Sequence, residues 1–148
     1  MIMDNLLIFS SGQAITATAD STNQLDFLVG RDMGVGDDPI WLSVQSIAAF
    51  ATLTSLQITL SGAPDNGSGA PGTYVPLVSS NVILLAALTA STDLWKTPLP
   101  LSGPTTRFLK LTYTVGGANA TAGSVSAQLT LDVNARYTYA EGANVSSI

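Results

Sequence analysis

The clearest candidate for chemistry is an acidic segment at residues 31–39, with the sequence RDMGVGDDP. Asp32, Asp37 and Asp38 place three carboxylates within seven residues, and two glycines permit a tight turn that could surround Ca²⁺ with oxygen ligands. The spacing differs from that of an EF-hand loop, and no glutamate follows to close the ligand shell. The alternative is a turn between strands, because Asp accepts backbone hydrogen bonds and Gly adopts positive φ. We expect the turn, and a calcium site at residues 32–38 stays open.

Catalysis is disfavoured because the chain contains no histidine and no cysteine. A serine or threonine nucleophile needs a neighbouring base, and Lys96 and Lys110 are the remaining candidates for that role. Lys110 occupies a polar position in a predicted strand, where a solvated side chain is expected. The carboxylates outside the acidic segment are dispersed, so no pair of them is predicted to do acid–base work. We therefore predict no catalytic residue, no metal, no cofactor and no enzyme activity.

Three aromatic residues, Trp41, Tyr74 and Trp95, point to a different kind of site. Brought together, they would form a sugar-stacking platform of the kind that carbohydrate-binding β-sandwiches use. Trp41 lies on the opposite face of its predicted strand from Ile40 and Leu42, which favours exposure. The alternative is packing in the core or at a protein interface. We favour packing because the tryptophans are far apart in the sequence.

Charge is scarce, since 15 of the 148 residues are charged, whereas about one quarter are charged in a typical soluble domain. Serine and threonine, 16 and 17 in number, fill polar positions where lysine and glutamate would be usual. The net charge of −5 and the lack of a basic cluster argue against nucleic-acid binding and against an anionic membrane surface. A polar face without ions can be covered by protein without stranding charges, so we expect a surface that docks on other protein.

The length and the ends of the chain set further expectations. At 148 residues the chain fits one domain, residues 1–148, with a core of its own. It starts with MIMD, without a cationic segment, and its longest apolar run is the seven residues 82–88. A secretory signal or a membrane span needs more than this, so we expect synthesis in the cytoplasm. Without cysteine, stability must come from packing, pairing or assembly.

Alternation of apolar and polar residues predicts an all-β fold. The four clearest strands span residues 40–47, 56–60, 107–115 and 124–134. Weaker candidates span residues 6–9, 14–19, 24–29 and 81–88, the last with a short buried helix as its alternative. A hairpin is predicted to join residues 107–115 to 124–134. Strands about ten residues apart with turn residues between them predict a single-domain antiparallel β-sandwich of jelly-roll type, with about eight strands.

Three segments fall outside this pattern. Residues 61–73 (SGAPDNGSGAPGT) contain four glycines and two prolines. We predict a solvated hairpin tip there, with a mobile loop that orders against a partner as the alternative. Residues 1–5 and 137–148 are either disordered ends or extended arms that lie on a neighbouring subunit. Tyr137 and Tyr139 would suit the second role, because tyrosine is a favoured interface anchor.

Short motifs in both halves of the chain occur in an order that matches a known family. In the N-terminal half they are DNLLIFS at 4–10, QAITATA at 13–19, STN at 21–23 with Asp26, RDMGVG at 31–36 and WLSV at 41–44. In the C-terminal half they are PLP at 98–100, RFLKL at 107–111 and TAGSVSA at 121–127. These motifs resemble the jelly-roll capsid cement proteins of tailed bacteriophages, of the type found in Bordetella short-tailed phages. The resemblance covers roughly residues 4–134, without the loop at 61–73 and the tail after Tyr137.

The resemblance implies a jelly-roll protein that binds the outside of an assembled capsid and clamps neighbouring major capsid subunits. It also implies a homodimer or homotrimer, made in the host cytoplasm and located on the capsid surface of the virion. The alternative function is a carbohydrate- or receptor-binding β-sandwich module of a virion. We predict interface contacts by three N-terminal residues and five aromatic ones: Asp4, Asn5, Leu6, Trp41, Tyr74, Trp95, Tyr137 and Tyr139. The expected partners are the major capsid protein and further copies of this chain, with no nucleic acid and no membrane.

Overall fold

The computed structural model describes residues 5–28, 40–99 and 106–130. Over these ranges it contains ten β-strands: β1 Ile8–Ala14, β2 Ala19–Asp20, β3 Leu25–Asp26, β4 Trp41–Ala51, β5 Ser55–Ala63, β6 Val75–Ser79, β7 Ile83–Leu84, β8 Asp93–Pro98, β9 Phe108–Gly116 and β10 Ala122–Thr130. Two 3₁₀ turns span Asn5–Leu7 and Leu85–Ala87. Among the residues described, no helix has the length and apolar character to cross a membrane.

The strands pair antiparallel and form two sheets. The first sheet has the order β1–β10–β4–β8. In the second sheet β9 and β5 are central, β2 and β3 pair with successive parts of β9, and β6 and β7 pair with successive parts of β5. If β2 and β3 are counted as one interrupted strand, and β6 and β7 as another, the ten strands become eight. Numbered 1–8 along the chain, these have the order 1–8–3–6 in the first sheet and 2–7–4–5 in the second. This is the double Greek key of a jelly roll, as the sequence predicts.

The hydrophobic core lies between the two sheets. The sequence alternation directs it there, because every second side chain is buried over residues 42–46 of β4, 56–60 of β5 and 125–129 of β10. The central strands contribute most of its apolar side chains: Leu42, Val44, Leu56, Ile58, Leu60, Leu109, Leu111, Tyr113, Val125, Ala127 and Leu129. Burial of this apolar surface holds the two sheets together in a chain that has no cysteine.

One polar pair crosses the core. Ser10 in β1 and Tyr113 in β9 are almost fully buried, and their hydroxyl oxygens lie 2.8 Å apart. Ser10 Oγ donates to Gln13 Oε1 at 2.7 Å, so the Tyr113 hydroxyl is the donor to Ser10. Burial raises the pKa of Tyr113 to about 12, and the phenol therefore stays protonated at neutral pH. The pair links the first sheet to the second with both hydroxyls hydrogen-bonded.

The hairpin predicted between residues 107–115 and 124–134 is wrong. Its two strands, β9 and β10, lie in different sheets. The connection between them crosses from one sheet to the other, held by bonds from Ala120 N to Thr16 O and from Thr121 N to Ala51 O. Each of the two strands has one apolar face. The two apolar faces meet across the core, so the strands do not lie next to each other in one sheet. Residues 131–134 of the predicted last strand lie outside the described residues.

Other differences concern the limits of strands. The predicted strand at 14–19 is wrong, because β1 extends through Ala14 and the chain then bends at residues 16–18. The segment 81–88 contains the short strand β7 followed by one exposed 3₁₀ turn, not a buried helix. Strands β6 and β8 escape the sequence prediction because each contains a proline, Pro76 or Pro98, and lacks clear alternation.

Candidate docking surfaces

Every charged side chain among the described residues takes part in an ion pair. The pairs are Lys96 with Asp93, Lys110 with Asp20, and Arg107 with both Asp26 and Asp65. Partly exposed pairs of this kind contribute little to stability. Their importance here is that a docking partner meets no lone charge on the described surface, and so no lone charge has to be desolvated.

Lys110 in β9 shows how the outer face of the second sheet is neutralised. Its ammonium nitrogen lies 2.7 Å from Asp20 Oδ2 and 4.4 Å from the centroid of the Tyr74 ring. Asp20 Oδ1 accepts a hydrogen bond from Thr112 Oγ1 at 2.7 Å, and the Tyr74 hydroxyl donates to Gln24 Oε1. The hydrogen bonds from Lys110 and Thr112 lower the pKa of Asp20, and burial raises the pKa of Tyr74. The Tyr74 ring therefore covers the ammonium group of Lys110 on the outer face of the second sheet.

Arg107 ties the glycine-rich loop to the second sheet. Its guanidinium donates to both carboxylate oxygens of Asp26, at 2.7 and 2.9 Å, and to Asp65 Oδ2 at 2.5 Å. Asp65 Oδ1 accepts from the backbone nitrogens of Gly67 and Gly69 at 2.8 and 3.0 Å. These hydrogen bonds hold the pKa of each of the two carboxyls below its usual range. The loop is thus connected to the sheet through one carboxylate.

The loop predicted at residues 61–73 is shorter than expected, since β5 continues through Ala63 and pairs there with β9. The rest of the segment joins β5 to β6 in a hairpin, which confirms the predicted hairpin tip. A bridge between Asp65 and Pro71 and a bond from Asn66 N to Ala70 O at 2.9 Å stabilise it. The tip is exposed, and these bonds are made within it.

Acid should weaken the fold through three of these carboxyls. Asp20, Asp26 and Asp65 have lowered pKa values in the folded protein and so bind protons more weakly there than in the unfolded chain. Their contribution to the free energy of unfolding is present above the ordinary carboxyl pKa of 3.8 and is lost as the pH falls through the lowered values. The urea concentration at the midpoint of unfolding should therefore decrease as the pH is lowered from about 6 to about 2.

The control for this prediction is Arg107→Met, which removes the charged partner of two of the three carboxyls. The loss of stability on acidification should be smaller in this variant than in the wild type. An acid-induced change of equal size in the two proteins would contradict the assignment of the effect to these ion pairs.

The outer face of the first sheet is polar and almost free of charge. Alternation along three strands places on it Trp41, Ser43, Gln45, Lys96, Ser126 and Gln128. Lys96 is neutralised by Asp93 at 2.8 Å. Protein can cover such a face without burying an unpaired ion, provided that the hydroxyl and amide groups find hydrogen-bond partners. We refer to it as the neutral face.

An exposed apolar ridge lies beside the first residues of β5, with which β7 pairs. We define the ridge by five exposed side chains: Val82, Leu84, Leu85, Ala86 and Ala87. Val82 and Leu84 are 57% and 61% exposed, which is high for large apolar side chains. Ile83 packs against the core and Leu88 is buried, and these two residues anchor the ridge. Clustered exposed apolar residues mark sites of protein contact.

Hydrogen bonds hold the ridge in place. Leu85 N donates to Thr54 O at 3.2 Å, and Phe50 N donates to Leu88 O at 3.0 Å. The buried Ser46 side chain accepts a bond of 3.1 Å from the backbone of the turn that follows the ridge. A surface that is ordered before binding loses little conformational entropy when a partner docks. The ridge therefore has both the composition and the order of a docking surface.

In a comparison of the chain with protein families, the Bbp16 family model matches residues 9–129. The chain belongs to the Bbp16 family. This phage-related family is named for a Bordetella phage protein, so the phage part of the sequence-based resemblance is confirmed. The match begins in β1 and ends in β10, and it therefore spans both sheets. No curated protein matches the chain significantly.

The aromatic residues predicted at an interface of this Bbp16-family protein lie on different surfaces. Trp41 is half-buried at one end of the neutral face. Tyr74 covers Lys110 on the outer face of the second sheet. Trp95 lies opposite the buried Val44 and packs in part against the core. The structure does not bring the three rings together, so they form no common platform for stacking a sugar.

The remaining predicted interface residues belong to the two ends of the chain. Leu6 is 80% exposed, in the 3₁₀ turn that Asn5 begins ahead of β1. Asp4, Tyr137 and Tyr139 lie outside the described residues, as do the acidic segment at 31–39 and most of the proposed arms. Their contacts with a partner stay predictions.

The ridge is the feature that sequence reasoning misses. The run VILLAAL at residues 82–88 predicts a buried strand or helix, whereas most of it is exposed. The available signal was that the run has neither the alternation of a half-buried strand nor the length of a core helix. An apolar run that suits neither element is a candidate for a contact surface.

Proposed function

We propose that this protein is a structural component of the virion that binds the outer surface of the assembled capsid and clamps neighbouring major capsid subunits. Its membership of a phage-related family supports a role in phage particles. The observation that carries the proposal is the apolar ridge, an ordered and exposed apolar surface on a framework whose described charges are all internally paired. The partner we assign to the ridge is an apolar patch on the capsid shell.

Apolar contact suits a chain with this charge. A net charge of −5 gives no electrostatic attraction to a neutral or acidic surface, and binding to such a surface depends on burial. Full burial of a fully exposed valine or leucine contributes about 1.5–3 kcal/mol. The ridge offers the exposed part of three such side chains, between 36% and 61% of each, with two alanines beside them. Modest affinity at one site is sufficient where many copies act on one particle.

Clamping needs at least two contacts, because a molecule with one contact binds a subunit without linking it to the next. The neutral face is a suitable second surface, since it lies on the first sheet whereas the ridge adjoins β5 of the second. Assembly into a homodimer or homotrimer would multiply both contacts. Neither surface requires a catalytic group or a cofactor for this role. The protein would be made in the host cytoplasm and added to the shell surface.

The test is co-sedimentation with expanded capsids that lack the protein. Purified protein should pellet with the shells and reach saturation at a fixed number of copies per shell. Bound protein should also raise the temperature at which the shells break. Failure to co-sediment at a saturating concentration would overturn the proposal, and an unrelated acidic protein at the same concentration controls for trapping in the pellet.

A further inference from the structure

Asn66 lies in the exposed hairpin tip, directly before Gly67. Of the seven asparagines in the chain, it is the one followed by glycine. Glycine has no side chain to hinder approach to its own nitrogen. Apart from Gly67 and its two chain neighbours, no residue has an atom within 4 Å of the point where a Cβ on Gly67 would stand. No side chain on Gly67 therefore hinders the approach of its backbone nitrogen to the neighbouring side-chain carbonyl.

Two hydrogen bonds polarise that carbonyl. Ser68 N and Ser68 Oγ donate to Asn66 Oδ1, at 2.9 and 2.7 Å. Donors directed at a carbonyl oxygen stabilise the negative charge that develops there when a nucleophile attacks the carbon. The side-chain amide of Asn66 is thus held as an activated electrophile.

A carboxylate faces the nucleophile. Gly67 N donates to Asp65 Oδ1 at 2.8 Å, a distance from which a carboxylate can accept the proton as the nitrogen attacks. Arg107 lies 2.5 Å from the other oxygen of Asp65 and keeps this carboxylate oriented and ionised. A base, a carbonyl and a nucleophile therefore lie on the consecutive residues Asp65, Asn66 and Gly67, and the next residue, Ser68, polarises the carbonyl.

We propose that Asn66 is a site of self-catalysed deamidation. The Gly67 backbone nitrogen forms a bond with Asn66 Cγ, which closes a succinimide ring. The bond from Cγ to the side-chain amide nitrogen breaks, and the proton from Gly67 N passes through Asp65 to that nitrogen, which leaves as ammonia. Water then opens the ring at either carbonyl and produces aspartate or isoaspartate at position 66. Water is the only co-reactant, and no electrons are exchanged with another molecule.

The modification would loosen the hairpin tip. Both products add a negative charge beside Asp65. Isoaspartate also lengthens the backbone between Asp65 and Gly67, where the bonds from Gly67 N to Asp65 and from Asn66 N to Ala70 O now close the turn. The contact of the tip with Arg107 would weaken as a result. The inference does not depend on the proposed capsid binding.

The test follows deamidation of the purified full-length protein at mildly alkaline pH by peptide mass spectrometry, with isoaspartyl methyltransferase labelling to detect isoaspartate. Asn66 should convert at least about tenfold faster than Asn119, which is also exposed but followed by alanine. Ser68→Ala removes one donor and Asp65→Asn removes the base, and each variant should slow conversion at position 66 several-fold.

Two results would overturn the inference. One is conversion of Asn66 no faster than that of Asn119. The other is equal rates in the wild type and both variants, because the neighbouring groups would then play no part. Circular dichroism of each variant shows whether the fold is kept, and all the substituted positions are exposed.

Discussion

Replacing Val82 with aspartate should abolish co-sedimentation with capsid shells, whereas the same replacement at Val75 should leave it unchanged. The two valines are 57% and 56% exposed, so the variants lose the same apolar group and gain the same charge. Val82 belongs to the ridge near the start of β5, whereas Val75 begins β6 and lies opposite Gly62 near the end of β5. A carboxylate at position 82 would have to leave water on docking, which costs about 3 kcal/mol or more. That cost raises Kd by a factor of about 100 or more.

A milder variant and a stability measurement complete this experiment. Leu84→Ser removes an exposed apolar side chain of the ridge without adding charge, so binding should weaken but remain detectable. Urea midpoints of all three variants should match that of the wild type, because the positions are exposed. Equal binding by the Val82 and Val75 variants would show that the ridge is not the capsid contact, even if the wild-type protein binds shells.

Gly123→Ala should be the most destabilising alanine substitution among the glycines of the first sheet. Gly123 has a φ of +131°, a conformation that L-residues rarely adopt, at a register shift in β10. A Cβ there would overlap the ring of Phe50, which is buried and cannot move aside without disturbing the core. The backbone strain and the overlap together should lower the free energy of unfolding by about 3 kcal/mol. Urea denaturation measures this directly.

Gly12→Ala is the matched control for the steric part of this prediction. Gly12 also has positive φ, +63°, and lies at a register shift in β1, but a Cβ there would meet no atom within 4 Å. Its replacement should cost about 1–2 kcal/mol from the backbone conformation alone. If the two variants are equally destabilised, the contact with Phe50 is not the cause of the larger effect.

The strands that the sequence predicts well are those whose two faces differ. In β10, Val125, Ala127 and Leu129 alternate with polar residues, and in β5 Leu56, Ile58 and Leu60 do the same. This alternation results from burial of one face, so it is visible in any strand that covers the core on one side. Strands β6 and β8 lie at sheet edges, where proline is tolerated and alternation is weaker, and the sequence does not reveal them.

The candidate surfaces were predictable only in part. Scarcity of charge indicates a surface suited to contact with protein, and the described ion pairs make that surface more neutral than composition alone implies. The pairing of Arg107 with Asp26 and Asp65 joins residues 81 and 42 positions apart in the chain. No local pattern predicts which carboxylate an arginine will meet at such separations, because the pairing follows from strand register.

By itself, the sequence determined the fold class, the face of each central strand that is apolar, and the lack of histidine and cysteine chemistry. These properties are local or compositional, and alternation records which side of a strand is buried. The tertiary structure alone decided that β9 packs across the core from β10 and that residues 82–87 are exposed as a ridge. The physical reason is that both outcomes depend on which distant strands cover an apolar surface. An apolar residue has the same identity whether the fold covers it or leaves it for a partner.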